Sequence, residues 1–211
     1  MNLCALSLAV LLLSAAVTPA HAAGTGETWQ RTYELEALGS YEDASSLLYS
    51  VPRGERGYTW ELRRGWLHYL EGDLSASVEA YQAAVRFEPL AVEPRQGLLL
   101  PLLADRRWVD AVTAAHGVLA IDADNSLASG RLAWAQYNLG RYAEAEDSYR
   151  QALAAYPSDV DLRAGLGWSQ LQQGRSDEAR AAFDAVLAIA PAHASAGEGQ
   201  LASQGLSTSG D

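Results

Sequence analysis

The chain has 211 residues and a formal charge of −11, from 15 basic and 26 acidic side chains. Every basic residue is arginine, which removes Schiff-base chemistry, a P-loop lysine and a lysine general base, and the acidic balance argues against nucleic acid and against anionic lipid. With 49% hydrophobic residues, this is the composition of a folded chain and not of a disordered tail.

In chain order, the first segment reads as a secretory signal peptide over residues 1–22. Residues Leu3 to Pro19 carry no charge and include the apolar run Leu6 to Leu13, and Ala20-His21-Ala22 places small residues where a signal peptidase requires them. The run is shorter than the ~20 residues of a membrane span. No Lys or Arg precedes it, and an uncleaved anchor is the alternative reading. Cleavage near Ala22 predicts a periplasmic or secreted protein of 211 − 22 = 189 residues that has lost Cys4, the sole cysteine.

A period of 34 organises the remainder of the chain. Pro157 and Pro191 are 191 − 157 = 34 apart, and Pro89 lies twice that distance before Pro157. Gly72, Gly140 and Gly174 share this phase, as do Tyr81, Tyr149 and Phe183, and Ser77, Ala111, Ala145 and Ala179. Units therefore run 58–91, 92–125, 126–159 and 160–193, each a pair of helices, with a glycine ending the first helix and a proline stopping the second in all but unit 92–125. A weaker unit, 25–57, precedes them, with Pro52 arriving early and a short second helix. Asn125 and Ser158 are candidate N-caps. Unit 92–125 departs most: Pro101 falls mid-helix, Arg106 replaces the turn glycine and Ala123 the closing proline. Either this is drift, or a bent helix widens the surface there. Residues 194–211 read as a weak capping helix and a flexible tail.

The unit Leu132-Ala133, Tyr137, Gly140, Tyr142, Ala145, Tyr149, Ala152-Leu153, Pro157 resembles the consensus of the tetratricopeptide repeat family, and unit 160–193 matches through Leu166-Gly167, Gly174, Ala179, Phe183, Val186-Leu187 and Pro191. The family's tryptophan at the fourth position of the first helix is missing throughout. The resemblance implies an all-α, right-handed α-solenoid of about five antiparallel helix pairs, of the secreted or periplasmic bacterial type.

No metal or cofactor constellation is found, and a non-enzymatic protein is expected. His68 sits in a helix packing slot, His116 in a surface slot, and His193 beyond the last repeat helix; no cysteine pair or H-x-x-x-H spacing occurs. Gly165-x-Gly167 reads as small-residue packing and not as a phosphate cradle.

In the resembling family the first helix of each unit lines a concave groove. Carried onto this chain, the groove positions are Trp29, Tyr33, Trp66, Tyr69, Leu100, Leu103, Trp134, Tyr137, Trp168 and Leu171. Trp66, Trp134 and Trp168 would form an exposed ladder that binds a partner; the alternative is that these rings pack on one another and stiffen the array. Trp108 serves as the reference for a purely packing aromatic. The basic and amide groups with which the family clamps a C-terminal carboxylate are missing at the fifth and ninth positions, and arginine looks scarce on this face. The expected partner is a protein segment, apolar or aromatic, in the cell envelope. A polysaccharide stacked on the ladder is the alternative, since signal-bearing arrays of this kind resemble components of envelope assembly and polysaccharide export.

Overall fold

The computed structural model describes residues 25–206. The signal segment 1–22 with Cys4, and the end of the tail at 207–211, lie outside the described residues. Among those described, the chain is all helix: α1 Thr25–Ala37, α2 Tyr41–Leu48, α3 Tyr58–Glu71, α4 Leu74–Phe87, α5 Glu93–Ala104, α6 Trp108–Leu119, α7 Ser126–Asn138, α8 Tyr142–Ala155, α9 Val160–Gln172, α10 Ser176–Ile189 and α11 Ala194–Ser203, with one 3₁₀ turn at Arg53–Glu55. The elements form five helix pairs in sequence, closed by α11, as a solenoid. No described helix is long and apolar enough to cross a membrane.

Local chemistry explains the pairing. Gly39, Gly72, Gly140 and Gly174 turn the chain between first and second helices with φ between 74° and 84°, a conformation that costs glycine nothing. In the third pair Arg106 takes the same turn at φ 56° and carries the strain of a Cβ. Asp73 and Asn125 cap α4 and α7 by accepting the amide N–H of Ala76 and Ala128, each at 3.0 Å. Asp159, and not the expected Ser158, caps α9 through the Leu162 amide at 2.9 Å. The carboxylate there gains from the helix dipole as well as the hydrogen bond. His193 caps α11: its Nδ1 accepts from the Ala196 amide, so the neutral ring carries its proton on Nε2 and donates it to Asp161 Oδ1 at 3.0 Å.

α5 continues through Pro101 to Ala104. The proline ring is fully buried among Leu99, Leu102 and Leu103, and that apolar burial offsets the hydrogen bond it cannot donate to the Gly97 carbonyl. Each second helix packs between its own first helix and the next one, giving a core strung along the stack. The first helices of successive units also meet directly, α3 with α5, α5 with α7, α7 with α9 and α9 with α11. That closeness puts the first helices on the inner side of the stack.

Candidate functional site

Three hollows succeed one another along the first helices. The first, about 460 Å³, lies across α1, α3, α5 and α7 between Tyr33, Trp66, Gln96, Leu100 and Arg131. The second, about 430 Å³, lies across α7, α9 and α11 between Trp134, Tyr137, Trp168 and Ser195. The third, about 450 Å³, sits between them and is the most apolar, lined by Leu127, Gly130, Leu162, Tyr156, Arg131 and Trp134. Leu127 and Arg131 belong to both first and third hollows, and Trp134 to both second and third, so the three form one track.

The candidate positions divide on this track. Tyr33, Trp66, Leu100, Trp134, Tyr137 and Trp168 line it. Leu103 does not face the groove, being buried in the α5–α6 core; half-buried Trp29 and Leu171 pack on the cores of the first two pairs and of the last, beside the three hollows and not lining them. Tyr69 is half-buried and its ring lies 5.8 Å from that of Trp66. The three ladder tryptophans make no ring contact with one another among the described residues. Trp66 donates its indole N–H to Glu36 at 2.7 Å. Trp168 donates to Ser195 Oγ at 2.9 Å and meets Phe183 edge-on. Trp134 is 46% exposed and meets Trp108 edge-on at 5.3 Å. Trp108 therefore cannot serve as an independent reference: it supports the residue it was to be compared with.

Two features of the floor escape the groove pattern. The first is a pair of tyrosines from second helices. Tyr81 and Tyr149 are 4% and 6% exposed, yet line the first and second hollows. They reach the track because glycine stands in the next first helix: a Cβ on Gly97 would lie 2.3 Å from the Tyr81 ring, and one on Gly165 2.3 Å from that of Tyr149. Phe183 meets Gly167 and Gly199 in the same way. Neither tyrosine hydroxyl has a hydrogen-bond partner among the described residues, and neither is sealed from solvent, so both open onto the floor. Burial raises the pKa of both phenols, with Glu93 adding to it at Tyr81 and Tyr137 at Tyr149. Glu93 also accepts a hydrogen bond from Tyr58, whose phenol is pushed up to about 12 by burial and then by that carboxylate.

The second feature is arginine, which is not scarce on this face. Arg63 is 5% exposed; it pairs with Glu36 and lies 3.8 Å over the Tyr33 ring. Arg131 donates to the Gln96 carbonyl at 3.0 Å and forms no ion pair among the described residues. Burial lowers the pKa of its guanidinium, the phenols of Tyr69 and Tyr81 acting the other way. The signal for both features was in the sequence. Position 97 holds glycine and 131 arginine, 63 arginine and 165 glycine, all in one 34-residue phase.

His68 is half-buried between Glu71, 2.8 Å from its Nδ1, and the Tyr49 hydroxyl, 3.3 Å from its Nε2. His116 is exposed on α6. No group of three or more His, Cys, Asp or Glu side chains among the described residues is arranged to hold a metal.

Tetratricopeptide repeat models match residues 102–149 and 130–194, so repeats of this type are detected over that stretch. No curated protein matches it in sequence. Similar solved structures include MamA from Desulfovibrio magneticus RS-1, 16% identical with a TM-score of 0.73, covering 79% of this chain and 94% of that one. A further crystal structure of MamA protein is 21% identical, with a TM-score of 0.67 over 72% of this chain and 84% of that one. TTC0263, a thermophilic tetratricopeptide protein of Thermus thermophilus, is 19% identical with a TM-score of 0.62, over 87% of this chain and all of that one. At these identities the likeness carries the fold.

Proposed function

We propose that this chain is a non-enzymatic interaction scaffold of the cell envelope that holds an apolar or aromatic segment of a partner protein along its first helices. One observation carries the reading: three hollows of similar size join into one track, and Trp134, half-exposed, stands where two of them meet. A large aromatic left in water on such a track offers apolar area that a partner can cover. The signal-like pattern of residues 1–22 supports the envelope as its place, and N-terminal sequencing of the processed chain should begin at Ala23 or Gly24.

Photo-crosslinking tests the groove. A photoreactive residue replacing Leu100 or Leu127, in living cells of the source organism, should give one discrete adduct, and the same residue replacing Glu79 on α4 should not. Adducts from Glu79 and none from the track would overturn the reading. The second reading, a polysaccharide, draws on the second hollow, where the Tyr149 hydroxyl, Ser195, Asp161 and Glu198 stand beside Trp134 and Trp168. Polar groups next to aromatic faces suit sugar hydroxyls. Retention of the chain on an envelope glycan, abolished by Trp168→Ala, would favour it.

A further inference from the structure

The second and fourth units carry the same pair of side chains in the same place. Arg63 and Trp66 stand three residues apart on α3, and Arg131 and Trp134 three apart on α7, which puts each pair on one helix face. In the second unit this pair already holds a carboxylate. Glu36, reaching over from α1, accepts from Arg63 and, at 2.7 Å, from the Trp66 indole N–H. Glu36 lies three residues before the turn residue Gly39. The residue in that place one unit upstream of α7 lies three before Arg106, and it is Leu103, buried in the core.

The fourth unit therefore keeps the two donors and has lost the acceptor. The carboxylates that line the two hollows bordered by Arg131 are committed elsewhere: Glu36 to the second unit, Glu93 to the Tyr58 hydroxyl, Asp159 to the cap of α9. Arg131 has one hydrogen bond, to a carbonyl. The Trp134 indole N–H has no partner among the described residues, and its ring stands open to solvent. Half-buried Arg56, Arg95 and Arg163 also donate to backbone carbonyls and not to an acid; Arg131 is set apart by lining two of the hollows, next to Trp134.

We propose that Arg131 and Trp134 are the seat of a side-chain carboxylate, Glu or Asp, supplied by the partner segment. It would be held as Glu36 is held by Arg63 and Trp66. The third hollow begins at these two residues, and its Leu127, Leu162 and Tyr156 walls take an apolar side chain from the same segment. The ligand is then a peptide in which an acidic residue lies close to a leucine or an aromatic. Charge and shape are read side by side: the guanidinium selects the acid, and the hollow selects its neighbour. This rests on the groove reading above and adds the anchor to it.

The probe is an array of short random peptides, each present with an amidated and with a free C-terminus, applied to the processed wild-type chain and to Arg131→Gln and Trp134→Phe. Wild type should enrich peptides carrying Glu or Asp next to Leu, Phe or Trp. Arg131→Gln should weaken those peptides about tenfold or more and flatten their salt dependence, with the melting point little changed. Trp134→Phe keeps the ring and removes only the N–H; it should lower the preference for acidic peptides and leave the apolar preference in place. It also guards against a folding defect in the first variant. Equal affinity for wild type and both variants would overturn the anchor and leave the groove reading standing. Failure of wild type to select any peptide would overturn both. A preference for free C-terminal acids over amidated peptides would overturn the side-chain assignment. Retention of an acidic polysaccharide in place of peptides would overturn the peptide.

Discussion

The junction between the second and third units and the one between the third and fourth fill the same place with opposite residues. In the former, Tyr81 comes from the second helix and Gly97 from the next first helix; in the latter those positions hold Ala115 and Arg131. Between the fourth and fifth units the pattern returns to Tyr149 and Gly165, and α11 repeats it with Phe183 and Gly199. A large ring goes with no side chain opposite, and a methyl group goes with the longest side chain. What the junction conserves is bulk, because interiors are close-packed and tolerate neither voids nor overlap. What it leaves free is chemistry, so the floor alternates between a phenol and a guanidinium.

That contrast can be broken most severely at the rings. Tyr149→Ala or Phe183→Ala should cost about 3–5 kcal/mol, read as a fall in the urea midpoint, with Phe183 fully buried. Loss of less than half that amount would mean that neighbouring helices close the gap.

Alkali separates the two kinds of junction next. The phenols of Tyr81 and Tyr149 have pKa values raised above the ordinary 10.0 by burial, so above pH 10 the unfolded chain sheds these protons while the folded one keeps them. Their contribution is whole below pH 10 and is lost as pH climbs from there toward the higher folded values. The slope should reach about 1.4 kcal/mol per pH unit for each ring. Urea titrations at stepped pH should show it in wild type and show it reduced in Tyr81→Phe and Tyr149→Phe.

Overfilling comes third. Gly165→Ala should cost about 1–3 kcal/mol against the Tyr149 ring. Ala115→Tyr should be disruptive alone and partly relieved by Arg131→Gly, with a coupling of about 0.5–3 kcal/mol in a double-mutant cycle. Additive effects at 115 and 131 would show that the two positions do not share space.

The smallest effect belongs to Trp134→Ala. A side chain 46% exposed has less burial to lose, so stability should change by less than about 1 kcal/mol beyond the edge contact with Trp108, measured by thermal melting. A core-sized loss would make Trp134 part of the packing and remove the groove's central residue.

The architecture was legible because a 34-residue period is a long-range signal: the glycines at 72, 140 and 174 mark turns, and the prolines at 89, 157 and 191 mark stops, without any knowledge of contacts. Arg106 and Pro101 broke the local pattern without breaking the pair, since packing in the third core outweighs turn and helix propensity. The site was legible only where the pattern needed one helix to state it, as at Trp66, Trp134 and Trp168. Tyr81 and Tyr149 were missed because a second-helix residue reaches the groove only when the following first helix gives way, and that depends on two residues from different units. Leu103 was misplaced for the converse reason: its helical phase matches a groove position, and its side chain is taken into the core shared by α5 and α6.

The alternation at the junctions also governs how such a chain can be lengthened or cut. Removing residues 92–125 alone would splice the second unit to the fourth and set Tyr81 against Arg131, two bulky groups in a space made for one. Removing 92–159 would set Tyr81 against Gly165, a match the chain already uses. Around the third unit the removable module is therefore a doublet of 159 − 92 + 1 = 68 residues. The fifth unit is removable singly, because loss of 160–193 would set Tyr149 against Gly199, again a ring against glycine.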